Sequence, residues 1–174
     1  MVSPIFILLP AFGGMLLLPD SIEPTTLAKL DSQSYAILGG GELMKLSTRE
    51  MYYPDFRAEY IYGGLSWNSF NPRIAVSGSA RGDLWAGAGF NYDKYWAIGG
   101  DKAIFMGANF LPGVYQSGHI NLGSSVEFRS QFEFGLVQVG QWRVSAYIEH
   151  RSNAGIGRIN PGIEEFGVNF GFGL

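Results

Sequence analysis

From Tyr35 onward, apolar and polar residues alternate with a period of two rather than 3.6, the pattern of strands with two unlike faces. Glycine-containing polar breaks separate segments rich in aromatic and β-branched residues. This spacing predicts strands near 34–44, 57–66, 73–80, 83–92, 102–112, 124–139, 142–152 and 164–174. Upstream, Pro24, Thr25 and Thr26 precede Leu27-Ala28-Lys29-Leu30, which predicts one or two helical turns as a lead-in within 21–34. The domain expectation is an N-terminal apolar segment and lead-in over 1–33, then a barrel over 34–174.

The alternation is clearest in the last three strands. Val126, Phe128, Ser130, Phe132 and Phe134 share one face, and Glu127, Arg129, Gln131 and Glu133 share the other. After a tight connection at Val139-Gly140-Gln141, Val144, Ala146 and Ile148 alternate with Arg143, Ser145, Tyr147 and Glu149. In the last strand Phe166, Val168, Phe170, Phe172 and Leu174 alternate with Glu165, Gly167, Asn169, Gly171 and Gly173.

Alternation alone does not say which face is outside, since a lipocalin-like soluble barrel would turn its apolar side inward around a ligand. Three features favour the inverted, membrane arrangement. Glu127, Arg129 and Glu133 follow one another on a single face and suit an interior salt-bridge network. The terminal Phe172-Gly173-Leu174 resembles the aromatic, apolar last strand of outer-membrane proteins. Glycines crowd the interior side of that strand, where a narrow lumen has little room. The expected fold is therefore all-β, an eight-stranded antiparallel transmembrane β-barrel. The even strand number suits a bacterial outer-membrane protein.

Composition agrees. The 174 residues suffice for one domain, with 47% hydrophobic and 15% aromatic residues, 25 glycines and only 16% charged residues. Soluble domains carry about 25% charged residues. The net charge of -3 and the lack of a Lys/Arg cluster give no electrostatic support to a nucleic-acid partner. With no cysteine, disulfide and thiolate chemistry are excluded. Pro4 to Leu18 has the length of a signal-peptide core, without a preceding Lys or Arg or a following A-x-A site. A signal remnant or atypical signal is the expectation there.

The candidate chemistry lies in Glu149-His150-Arg151-Ser152-Asn153-Ala154-Gly155, with Glu164 twelve residues beyond the serine. A base, a hydroxyl and a carboxylate are the parts of a serine-hydrolase triad, whatever their order. By parity His150 and Ser152 continue Val144, Ala146 and Ile148, and Glu164 precedes Phe166 and Val168. All three thus share the apolar face, where ionisable groups are costly and usually functional. Glu165, beside Glu164, points inward by the same count. Asn153, the Ala154-Gly155 backbone and Asn160 are the nearest candidate donors for an oxyanion.

The run His150-Arg151-Ser152-Asn153-Ala154-Gly155, followed by Asn160-Pro161-Gly162-Ile163-Glu164, resembles the signature of the lipid A 3-O-deacylase family (PagL-type acyloxyacyl hydrolases of Gram-negative outer membranes). Glu127-Phe128-Arg129, Glu133, Gly135 and the stretch Pro112-Gly113-Val114-Tyr115 are similar to that family too. The resemblance covers roughly 112–174. It implies an outer-membrane barrel with its active site facing lipid, Ser152 as nucleophile, His150 as base and Glu164 as its partner, with Asn153 and Asn160 near the oxyanion. It implies lipid A or lipopolysaccharide as substrate, a setting among membrane lipids, and no metal or other cofactor. A non-enzymatic structural barrel, an outer-membrane phospholipase and a soluble ligand-binding barrel are the alternatives, and monomer and homodimer are both open.

The remaining conspicuous residues receive structural readings. His119 reads as a loop or rim histidine. Trp67, Trp85, Trp96 and Trp142, with Tyr52, Tyr53, Tyr60, Tyr62, Tyr92 and Tyr95, read as interfacial girdles. Arg81-Gly82-Asp83 reads as a tight turn, and Asp93, Lys94, Asp101 and Lys102 as solvated loop charges.

Overall fold

A computed structural model describes residues 13–15, 17–45, 50–65 and 69–174. A helix α1 (Pro24–Ser32) leads into eight strands: β1 (Tyr35–Lys45), β2 (Glu50–Ile61), β3 (Phe70–Ser79), β4 (Leu84–Gly99), β5 (Lys102–Gln116), β6 (Val126–Gln138), β7 (Trp142–Ser152) and β8 (Ile163–Gly173). Each strand pairs antiparallel with its sequence neighbour, and β1 pairs with β8 to close the barrel. The question of a signal in the first residues falls largely outside the described residues.

The barrel is inverted relative to a soluble one. Leu38, Phe56, Ile74, Val76, Phe90, Phe110, Phe134, Val168, Phe170 and Phe172 are exposed on its wall. The charged residues of alternate positions are buried inside. Such a wall is stable only in hydrocarbon, and a closed sheet meets the hydrocarbon with no unpaired edge.

The lumen is filled in three layers. At the helix end, Leu30 of α1 packs with Tyr35, Ile37, Ile61, Tyr95, Phe105 and Val137. At the loop end, Leu43, Tyr53, Trp85, Leu111, Tyr115, Leu122 and Ile163 form a second apolar plug. Between them lies an ionic layer. Glu59 meets Arg73 at 2.5 Å, Arg129 at 3.0 Å and Arg57 at 3.4 Å. Glu133 meets Arg73 at 2.5 Å, and Arg143 meets Asp93 at 3.0 Å. The side chains of Arg57, Glu59, Arg73, Arg129 and Glu133 have no exposed surface. A lumen plugged at both ends around a paired ionic layer is a packed core, not a channel.

Glycines on the inner face of β8 make room for this layer. A Cβ at Gly167 would strike the Tyr147 hydroxyl, and one at Gly171 would strike the Arg143 stem. Tyr147 uses that space to hydrogen-bond Glu165.

Three expectations are corrected. Strand β2 starts at Glu50, well before 57, because its N-terminal half pairs with the end of β1, past a bulge between Glu42 and Met44. The β4–β5 hairpin runs to Gly99–Lys102, so Asp93 is not a loop charge but a buried lumen partner of Arg143. Lys94 pairs at 3.0 Å with Asp20 of the lead-in, which also accepts the Tyr95 amide. The aromatic girdle is partial: Trp85, Tyr53 and Tyr95 are buried in the lumen plugs instead. Trp85 lies there because Gly87 and Gly113 present no Cβ to its ring, and Arg129 and Arg151 stack on it. Trp67 lies outside the described residues.

Arg57 spans two strands from inside: it holds Glu149 of β7 at 2.8 Å and Glu165 of β8 at 2.5 Å. Those carboxylates sit directly opposite each other in the β7–β8 register. Replacing Arg57 by Ala leaves them facing one another with less counter-charge, and breaking a buried pair this way costs about 3–5 kcal/mol. The Arg57→Ala barrel is expected to unfold at a clearly lower denaturant midpoint in lipid vesicles, with the slope of the transition unchanged.

Candidate active site

The pairing that places Glu149 opposite Glu165 inside the barrel places His150 opposite Glu164 outside it. His150 Nδ1 lies 3.2 Å from Glu164 Oε1. With the proton on Nδ1 and donated to the carboxylate, Nε2 carries the lone pair. Nε2 is buried and has no hydrogen-bond partner, so it is a base nitrogen with nothing yet to accept from. Ser152 lies on the same face two residues on, roughly 7 Å away along the backbone. It is opposite Phe128 of β6.

Outward parity does not leave these groups open. His150, Ser152 and Glu164 are only 3%, 4% and 5% exposed. Part of the cover comes from the loop joining β7 to β8, which returns so that Gly162 lies against the imidazole. A Cβ at Gly162 would be 3.0 Å from His150 Cε1, and the backbone there has φ 63°. Glycine meets both demands, the close approach and the left-handed conformation.

The three supporting residues, Asn153, Gly155 and Asn160, are brought together by hydrogen bonds. Asn153 donates through Nδ2 to Leu122 O at 2.8 Å and to Ile159 O at 2.7 Å. Its Oδ1 accepts the Gly155 amide at 2.9 Å, across a turn in which Ala154 and Gly155 both have positive φ. Its own amide donates to Asn160 Oδ1 at 3.1 Å. Asn153 is thus a staple between two loops, with both side-chain hydrogens committed in this conformation. The Asn160 carboxamide accepts through oxygen here, which leaves its nitrogen available as a donor.

Asp83 is the residue that sequence reading missed. It is 3% exposed, not displayed at a turn tip. Its Oδ1 accepts the amides of Gly118, His119 and Ile120, each at 2.9 Å, and the Tyr115 hydroxyl at 2.9 Å. Its Oδ2 accepts from Tyr53 and Ser79, both at 2.9 Å. Burial alone would push this carboxyl up, but the three amides and Tyr53 outweigh it and hold the pKa down to about 2. The loop residues lie 35 to 37 positions away, so only the turn itself is visible in the sequence. Among the described residues, no group of three or more His, Asp or Glu side chains could hold a metal ion.

Comparison with known proteins places the chain in a family and its barrel among solved folds. Residues 46–173 match the family model described as lipid A 3-O-deacylase (PagL). Among solved structures, the outer membrane enzyme PagL superposes with a TM-score of 0.68 at 17% identity, over 80% of this chain and 99% of that one. Neisserial surface protein A superposes with a TM-score of 0.52 at 8% identity, over 82% of this chain and 96% of that one. At these identities the likeness is one of fold. No curated protein sequence matches the chain significantly.

The Asp83 anchor makes a prediction. A carboxyl with a depressed folded pKa contributes stability above its unfolded value of 3.8 and loses it as pH falls toward about 2. At neutral pH the anchor is therefore complete, and only substitution removes it. In Asp83→Ala the amides of Gly118, His119 and Ile120 are expected to exchange hydrogen at least about tenfold faster. That factor is about 1.4 kcal/mol, near the lower bound for one charge-assisted hydrogen bond. Exchange in the β6–β7 hairpin should stay as in the wild type.

Proposed function

This chain belongs to the lipid A 3-O-deacylase family, and on that premise we propose that it removes the 3-O-linked acyl chain of lipid A from the outer wall of its barrel. The family is one of outer-membrane enzymes, and the apolar wall described above suits that setting. The observation that carries the residue assignment is the His150–Glu164 contact beside an unpartnered Nε2, two residues from a serine on the same face.

In this reading, Ser152 Oγ attacks the ester carbonyl as its proton passes to His150 Nε2. Glu164 holds the imidazole in the required tautomer and stabilises its charged form. The tetrahedral intermediate collapses, the sugar 3-oxygen leaves with the proton from His150, and the acyl group stays on Ser152. Water then attacks that acyl-enzyme with His150 again as base, and the fatty acid departs. The developing oxyanion needs a donor, and the Asn160 carboxamide nitrogen is the nearest side-chain candidate left uncommitted by the loop contacts.

The loop end supports this placement topologically. With α1 and the short turns on the periplasmic side, His150, Ser152 and Glu164 lie near the outer leaflet, where lipid A resides. The plugged lumen offers no route for an acyl chain, so substrate approaches sideways through the bilayer.

Mass spectrometry of lipid A tests the reading in cells that make lipid A with a 3-O-acyl chain. Wild type is expected to yield lipid A lighter by one 3-hydroxyacyl group, and Ser152→Ala to leave it intact. Purified Ser152→Ala and His150→Ala should lose at least about 10³-fold in kcat, and Glu164→Ala less, as orienting carboxylates do in related triads. Fatty acid released from glycerophospholipid with lipid A untouched would point to a phospholipase. No change from wild type would leave a structural barrel.

A further inference from the structure

Apart from Gln138 at a periplasmic turn, the outward positions of β6, β7 and β8 are apolar except for four residues: Ser130, His150, Ser152 and Glu164. His150 stands directly opposite Glu164 on β8 and directly opposite Ser130 on β6. Ser152 is the next outward residue along β7. The four thus form one contiguous polar patch in an apolar wall. Three of them are the candidate triad, and Ser130 has no part in that chemistry as described above.

The surroundings make a hydroxyl at Ser130 conspicuous. Phe128 and Phe132 flank it on its own strand, and Phe110 is its register partner on β5. The rings of Phe110 and Phe128 stack beside it with centroids 5.9 Å apart. A polar group among apolar neighbours costs free energy unless it finds a hydrogen-bond partner. Residues directly opposite in an antiparallel pair bring their Cβ atoms to about 4.5–5.5 Å, so Ser130 is a nearer neighbour of His150 than Ser152 is along the strand. The imidazole is also turned the right way. Its Nδ1 meets Glu164 on the β8 side at 3.2 Å. The two nitrogens of an imidazole point in roughly opposite directions, so the unpartnered Nε2 opens away from β8. Ser130, on the other side of β7, borders the space into which it opens.

We propose that the Ser130 hydroxyl contacts the substrate, donating a hydrogen bond to the leaving oxygen of the ester. The proposal rests on the ester-hydrolase reading and adds a residue to it. In acylation Nε2 serves two oxygens in turn, taking a proton from Ser152 Oγ and passing it to the leaving sugar oxygen. Ser152 comes to that nitrogen from along β7. The leaving oxygen must reach the same nitrogen, and on the β6 side Ser130 is the polar residue that meets it there. As the C–O bond breaks, negative charge grows on this oxygen, and a donor aimed at it stabilises the transition state more than the ground state. Ser130 keeps its own proton throughout: His150 protonates the leaving alcohol, and the acyl group stays on Ser152.

Leaving-group dependence tests this in detergent, with two esters of the same fatty acid: the 3-O-ester of glucosamine and the p-nitrophenyl ester. A sugar alkoxide is a poor leaving group that needs a donor, whereas p-nitrophenolate leaves without one. Ser130→Ala is expected to lose at least about tenfold more in kcat/KM on the sugar ester than on the activated ester, a factor within reach of one hydrogen bond. Ser130→Thr, which keeps the hydroxyl, should restore the sugar ester, and Ser130→Val, of the same shape without it, should behave as Ser130→Ala. An alkyl fluorophosphonate adduct on Ser152 in each variant shows that the barrel is folded and its nucleophile active. Equal losses on the two esters, no loss on either, Thr and Val variants that behave alike, or an adduct on Ser130 would overturn the assignment. A wild type that hydrolyses neither ester would instead count against the esterase reading, and the role of Ser130 would fall with it.

Discussion

The register of β7 against β8 is the constraint on which the rest depends, and it is set from within the barrel. Arg57 draws Glu149 and Glu165 toward one guanidinium, and Arg151 adds a second contact to Glu149 at 2.7 Å. Because side chains alternate along a strand, fixing this inward pair fixes the next pair outward, His150 with Glu164. A slip of β7 by one residue would turn His150 toward the lumen and take it away from Glu164. The ionic layer thus aligns a site it never touches, and the same parity puts apolar side chains on the rest of the wall.

An inverted barrel with a full lumen leaves chemistry two places to occur, the outer wall and the loop end. The candidate site stands where they meet. Its wall side is apolar, with Phe166 and Val168 following Glu164 on the exposed face. Its loop side is held by buried polar contacts, Asp83 under one loop and Asn153 between two. A substrate with acyl chains and a charged headgroup matches that division.

Much of this was legible in the sequence because period-two alternation reports faces directly. The parity of His150, Ser152 and Glu164 follows from counting, as does the inward direction of Glu165, and the last three strands fall within two residues of where the pattern puts them. Other features depend on contacts between distant segments. Asp93 reads as a loop charge until β4 is known to continue past it. Trp85 reads as a girdle residue until Gly87 and Gly113 make room for it in the lumen. The hydrogen bonds of the Asn153 carboxamide to Leu122 O, 31 residues away, and to Ile159 O are not visible in the sequence. The cover that Gly162 gives His150 depends on the return path of a loop that has no periodicity to read.

The central claim is that a serine on the outside of the barrel is a nucleophile activated by the histidine beside it. An alkyl fluorophosphonate delivered in lipid vesicles tests this most directly, with the adduct mapped by peptide mass spectrometry. The account predicts a stoichiometric adduct on Ser152 in the wild type, lost in His150→Ala and formed far more slowly with a short-chain, water-soluble phosphonate. No adduct on Ser152, or labelling that survives His150→Ala unchanged, would contradict it.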